Sequence, residues 1–160
     1  GHLLEPLSRY LSYSEDSVEI TVYDGDVYEE RNRERQRFSA CENKAVHTVE
    51  CLKSQFPKIH FRAKGEYLTN DNIITSIREN DTVFLCVDNH ATRKLVSDRC
   101  QDLDNVTLIS GGNDYTDGNV IVYIRKDGED VTKSPTALHS KIANPTDKNP
   151  GNLTNLERLD

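Results

Sequence analysis

Asp24 closes the run VEITVYD (18–24), and Asp88 closes DTVFLCVD (81–88). An acid at the end of a strand in a nucleotide-binding sheet commonly takes ribose hydroxyls. That is one reading of Asp24; the other is a turn former in the triplet Asp24-Gly25-Asp26. Asp88 suits Mg2+, which prefers carboxylates together with substrate phosphates, but it would equally serve as N-cap of the helix that follows. After the acidic turn come Arg31, Arg33, Arg35 and Arg37 at every second position, interleaved with Glu29, Glu30 and Glu34. If 29–37 is helical, Arg31 and Arg35 share one face and Arg33 and Arg37 another. One face then meets a ligand while the other pairs with the glutamates. Lys44, at the head of the next helical pattern, adds a second phosphate charge. An Arg fork and a Lys point charge together suit a polyphosphate. These residues point to a nucleotide site with a metal, and they name no reaction.

Composition narrows the partners. The 160 residues suffice for one domain with a real core, and 35% are hydrophobic, unlike a disordered chain. Net charge is -7, from 20 basic and 27 acidic residues. That balance argues against a general nucleic-acid binder, which needs a basic face. No apolar run approaches a membrane span and no signal peptide is present, so the expected location is cytoplasmic. The cysteines are Cys41, Cys51, Cys86 and Cys100; none form a CxxC pair, so zinc is not expected. Cys86 sits in the apolar strand run, and Cys51 and Cys100 sit in helical patterns. All are read as reduced core or near-core thiols. The chain contains no Met and is read as a fragment trimmed at its N-terminus.

The positioning elements follow from periodicity. Leu3, Leu4, Leu7, Tyr10 and Leu11 have helical spacing, with Pro6 tolerable in a first turn. Residues 18–24 and 58–63 read as strands, and 42–56 as a helix with Val46, Val49, Leu52 and Phe56 on one stripe. Residues 69–77 read as a short capped helix. The unbroken apolar run 81–88 reads as a strand buried on both faces. A helix over 89–102 and strands over 105–112 and 118–128 follow; 133–152 reads as an extended surface loop and 153–160 as the start of a helix. Strands alternating with helices predict βαβ units and an α/β, Rossmann-like, mostly parallel sheet flanked by helices. Ligands in such folds sit outside the carboxyl ends of the strands.

Several ordered motifs carry a resemblance. DGDVYEERNRERQ (24–36) resembles the DxDxVxxSNLxRQ signature of the ThiF/MoeB/HesA superfamily, whose relatives include the ubiquitin-activating enzymes; Asp24, Asp26, Asn32, Arg35 and Gln36 fall in register. NKA (43–45), CVDNHATRKLVSDRC (86–100) and ISGGNDYTDGNVIVY (109–123) resemble the segments that follow, so the likeness spans about residues 1–125. It implies an adenylyltransferase that binds ATP and Mg2+ and adenylates the C-terminal glycine of a ubiquitin-like or sulfur-carrier protein. By position it implies that Asp24 holds the ribose. Asn32, Arg35 and Lys44 contact the phosphates with Gln36 nearby, Asp88 binds Mg2+, and Arg35 and Asp88 serve catalysis. A homodimer is a further expectation.

This sequence also departs from the family pattern. Asn32 follows Arg31 where Ser is usual, Arg33 replaces an apolar residue, and no cysteine follows Cys100. The four zinc cysteines of many relatives are absent. Residues 133–152 resemble tails of phage- or plasmid-associated ThiF-like proteins. The family's first strand and glycine-rich loop are expected upstream of residue 1. The sheet is therefore expected as two half-sheets, EITVYD with KIHFRA and TVFLCVD with VTLIS. The expected domains are a nucleotide-binding ThiF-like domain over 1–128, incomplete at its N-terminus, and a C-terminal extended segment over 129–160. Two further functions compete with adenylation: a non-catalytic scaffold of the same family, and an NAD-dependent dehydrogenase, for which Asp24 would serve equally well.

Overall fold

Helix α1 (Leu4–Leu11) forms where Leu4, Leu7 and Leu11 recur on one face and Pro6 falls within the first turn. Its one fully buried residue is Ser8, whose hydroxyl donates to Leu4 O at 2.7 Å, so the polar group enters the interior satisfied. The computed structural model describes residues 2–29, 42–113, 118–154 and 157. Asn32, Arg35, Gln36, the rest of the arginine run and Cys41 lie outside the described residues, as do five of the eight residues of the terminal helix expected over 153–160. The chain divides into two compact units, residues 1–67 and 68–160.

In the first unit, β1 (Val18–Tyr23) pairs in parallel with β2 (Ile59–Lys64), Val18 opposite Ile59 and Tyr23 opposite Lys64. Helix α2 (Lys44–Gln55) lies between them in sequence, as a parallel connection requires. β-Branched alternation builds the strand: Val18, Ile20 and Val22 pack on a core of Val49, Leu52, Phe56, Ile59 and Phe61, joined by Leu4 and Leu11 of α1.

In the second unit, α3 (Ile73–Ser76) precedes β3 (Thr82–Leu85), α4 (His90–Gln101), β4 (Val106–Asn113), β5 (Gly118–Lys126) and β6 (Glu129–Asp130). The sheet order is β3-β4-β5-β6, the first pair parallel and the others antiparallel. Val96 and Cys100 of α4 pack on Leu85, Leu108 and Tyr123 of the sheet. The expected pairings of EITVYD with KIHFRA and of TVFLCVD with VTLIS are both observed, in separate sheets.

Three expectations need correction. Strand β3 is not buried on both faces: Phe84 is 38% exposed and stands in register with Ile109 and then Val122, itself 43% exposed. Cys86 is exposed, because the β3 ladder ends at Leu85 and the thiol lies past it; Cys51 is exposed on α2, and among the described cysteines only Cys100 is buried. The segment 133–152 is not an extended loop but carries α5 (Pro135–Leu138), α6 (Ser140–Ala143) and a 3-10 turn (Pro150–Asn152). Ser134 and Asn149 cap these starts through their side chains and Pro follows each, an N-cap and N1 pairing that begins helices.

Candidate functional site

Asp24 extends the β1–β2 ladder by one bond, its N–H donating to Lys64 O at 3.2 Å. Its side chain then turns the chain: Asp24 Oδ1 accepts from Asp26 N–H at 2.9 Å. The turn-former reading is therefore realised, and it uses one oxygen. Among the described residues the other oxygen has no hydrogen-bond partner, so the turn does not consume the ribose-binding capacity. Gly25 is required here, because a Cβ would fall 2.4 Å from the ring of Tyr67.

Asn43 ties the turn to the next helix. Its Oδ1 accepts from Ala45 N–H and Val46 N–H at 2.9 and 3.1 Å, capping α2. Its Nδ2 donates to Asp24 O and Asp26 O at 2.8 and 3.1 Å. Gly65 makes room for this amide, since a Cβ would sit 3.0 Å from Asn43 Cγ. Lys44, the first helical residue, donates from its backbone to Asp26 O at 2.9 Å and from Nζ to Asp26 Oδ2 at 2.8 Å. Tyr67 OH donates to Asp26 Oδ1 at 2.5 Å. The structure thus brings Asp24 and Lys44 together at the carboxyl end of β1, with Asp26 between them.

Electrostatics separates the two acids. Burial pushes the Asp24 carboxyl above its ordinary value, and the neighbouring Asp26 charge adds to this, against the Asp26 N–H and Lys44. Burial acts on Asp26 too, but the hydrogen bonds from Lys44 and Tyr67 outweigh it and hold Asp26 below the ordinary range. Lys44 would be pulled down by burial; the hydrogen bond and charge of Asp26 reverse this and raise it. Lys44 therefore stays a cation, with two of its three N–H donors left for an oxyanion.

The second unit holds Asp88, exposed just past β3. It is not the N-cap of α4: Asn89 has that role, its Oδ1 accepting from Thr92 N–H at 2.8 Å. Asp147 covers the remaining first-turn donors, taking His90 N–H at 2.7 Å and Ala91 N–H at 2.8 Å on its two oxygens. Buried Arg93 fastens the end of β3 to β4, donating to Val87 O, to Gly111 O at 2.7 Å and to Ser110 Oγ at 2.9 Å. Burial lowers its pKa, and the nearby Cys86 and Asp88 oppose that. Among the described residues no group of three or more His, Cys, Asp or Glu could hold a metal, so any cation at Asp88 needs ligand oxygens from elsewhere. An exposed strand-end carboxylate fits that donor set, and Asp24 with Lys44 fits a ribose and a phosphate.

Sequence reasoning missed Asn43, Tyr67, Arg93 and Asp147. Asn before Lys-Ala at a helix start was a readable capping signal. Tyr67 and Asp147 act across 41 and 57 residues and leave no local trace. Among the described residues no helix is long and apolar enough to cross a membrane.

The chain is 32% identical over 126 residues to the protein named adenylyltransferase and sulfurtransferase UBA4 of Debaryomyces hansenii, a match covering 76% of this chain. It spans only 28% of that relative's length. The model of the ThiF family matches residues 16–155, from the start of β1 through the Asp24–Lys44 turn, Asp88 and the Asp147 cap, and the chain belongs to the ThiF family.

Proposed function

We propose that this chain is the nucleotide-binding part of an ATP-dependent adenylyltransferase that activates the C-terminal glycine of a ubiquitin-like or sulfur-carrier protein. The observation that carries the reading is the Asp24–Lys44 arrangement at the end of β1: an acid with one oxygen uncommitted among the described residues, beside a lysine held cationic. Membership of the ThiF family and the activity for which the UBA4 relative is named support it. Asp24 accepts from a ribose hydroxyl, and Lys44 donates to phosphate oxygens. Arg35, with Asn32 and Gln36, takes the remaining phosphate contacts by the family signature. Asp88 holds Mg2+, which supplies charge to neutralise the phosphates when bound. The carrier's carboxylate oxygen attacks the α-phosphorus, the bond to the β-phosphate oxygen breaks, and pyrophosphate leaves. Preorganised cations stabilise the charge that develops.

ATP–pyrophosphate exchange in the presence of the carrier tests this. Lys44→Ala, Asp88→Ala and Arg35→Ala should each lower exchange at least a hundredfold, and Arg37→Ala less than tenfold. Equal losses at Arg35 and Arg37 would contradict the division of the run into site and surface. The scaffold reading keeps one observation in its favour, the Lys44–Asp26 ion pair, which occupies part of the lysine. Under that reading ATP with Mg2+ would give no thermal stabilisation and no exchange.

A further inference from the structure

Glu42, His47 and Cys51 form a constellation along α2 that the nucleotide reading does not use. His47 and Cys51 are four residues apart and therefore share one helix face. Cys51 Sγ lies 3.7 Å from His47 Nε2, and His47 Nδ1 lies 3.1 Å from Glu42 Oε2. The imidazole also meets the ring of Tyr28, edge to face at 5.4 Å between ring centroids. Its side chain is only 16% exposed, whereas the thiol at the end of the relay is open to solvent.

The order is nucleophile, base, orienting carboxylate, which is the arrangement of an activated nucleophile. An ionised Glu42 can only accept, so it keeps the imidazole proton on Nδ1. The Nε2 lone pair then faces the thiol. Cys100 and Cys86 have no imidazole beside them among the described residues, so the constellation distinguishes Cys51 from the other described thiols.

We propose that Cys51 is a thiol–disulfide exchange site for small disulfides, with His47 as its base and Glu42 orienting that base. His47 Nε2 takes the thiol proton, and the Cys51 thiolate attacks one sulfur of the disulfide. A new S–S bond forms as the old one breaks and the departing sulfur leaves as a thiolate; the imidazolium returns its proton to that thiolate or, where the leaving thiol is more acidic, to solvent. The protein is left as a mixed disulfide, with no net oxidation and no further reactant. Because the thiol is exposed, a small disulfide needs no cavity to reach it. The reading is independent of the adenylation chemistry.

The size of the effect is bounded. An ordinary exposed thiol is about 3% thiolate at pH 7, so full activation gains at most about 30-fold, part of it offset by the weaker nucleophilicity of a more acidic thiol. The test uses the full chain and an aromatic disulfide reagent that releases a coloured thiolate, with peptide mapping to assign the rate to Cys51. The native protein is compared with the same protein unfolded in urea, and with His47→Gln and Glu42→Gln. Native Cys51 should react about two- to fourfold faster than unfolded Cys51, the net of a larger thiolate fraction and a weaker nucleophile. His47→Gln should remove that advantage and Glu42→Gln should reduce it. A native rate no faster than the unfolded one would overturn the proposal, as would a His47→Gln rate equal to wild type. If His47→Gln does not fold, the native-against-unfolded comparison decides alone.

Discussion

Asn43 bears more of the site's geometry than any residue that would touch a ligand. Its amide caps α2 with one end and holds the Asp24-Gly25-Asp26 turn with the other. Losing an N-cap costs about 1 kcal/mol, and leaving the two turn carbonyls with one partner fewer adds to it. Asn43→Ala should therefore lower stability by about 2 kcal/mol in thermal or urea unfolding. Asn43→Asp separates the two roles: it keeps the cap acceptor but presents an anion to the carbonyls of Asp24 and Asp26. It should recover little of the loss; full recovery would mean that the cap alone matters. The two titrating acids frame this knot with opposite shifts. Raised Asp24 makes the folded state bind protons more readily than the unfolded chain, so its contribution to stability falls as pH rises through the window above its unfolded value of 3.8. Depressed Asp26 contributes stability that is present above 3.8 and lost as pH falls through its lower folded value.

Elements are positioned in the second unit by a buried cation rather than by apolar packing alone. Arg93 on α4 reaches the carbonyls of Val87 and Gly111 and the hydroxyl of Ser110, so one guanidinium fixes helix, strand end and neighbouring strand. Replacing it by Met keeps the aliphatic volume but orphans those acceptors, each costing about 1–3 kcal/mol. Arg93→Met should lose about 3 kcal/mol or more in urea unfolding, and Arg93→Lys should not recover it, because an ammonium lacks the planar fork. A fully stable Lys variant would show that charge alone suffices. This is also where legibility in the sequence ended. The alternation of Val18, Ile20 and Val22 and the stripe of Val49, Leu52 and Phe56 predicted β1 and α2 because period and burial agree there. Nothing local in DNHATR (88–93) says that its arginine turns inward. The run TVFLCV looked buried throughout, yet hydrophobicity does not specify how far a ladder extends or whether both faces are covered. The hairpin into β6 has a readable Asp-Gly signal: Asp127 and Gly128 both have positive φ, 51° and 78°, as a two-residue hairpin turn requires.

At the scale of the molecule, the two units differ in how much core each builds. Among the described residues the first has two strands and a cluster of five buried residues; the second has four strands and a cluster of nine. A two-stranded sheet is marginal without packed neighbours, and small units bury a smaller share of their surface. The candidate ribose and phosphate groups lie in the smaller one. The amides of Ile59–Lys64 should therefore exchange with solvent faster than those of Val106–Asn113, read by hydrogen exchange and mass spectrometry. Saturating ATP with Mg2+ should then slow exchange across β1, β2 and α2. At a hundredfold excess over Kd the stabilisation is about 2.7 kcal/mol, or roughly a hundredfold in protection for amides that exchange through opening of the binding-competent state. NAD at the same concentration should leave the pattern unchanged. Equal exchange in both sheets without ligand would mean that the units open as one cooperative body. Protection by NAD and not by ATP would move the chain from adenylation to dinucleotide chemistry, with Asp24 still on a ribose but Lys44 and Asp88 left without their assigned roles.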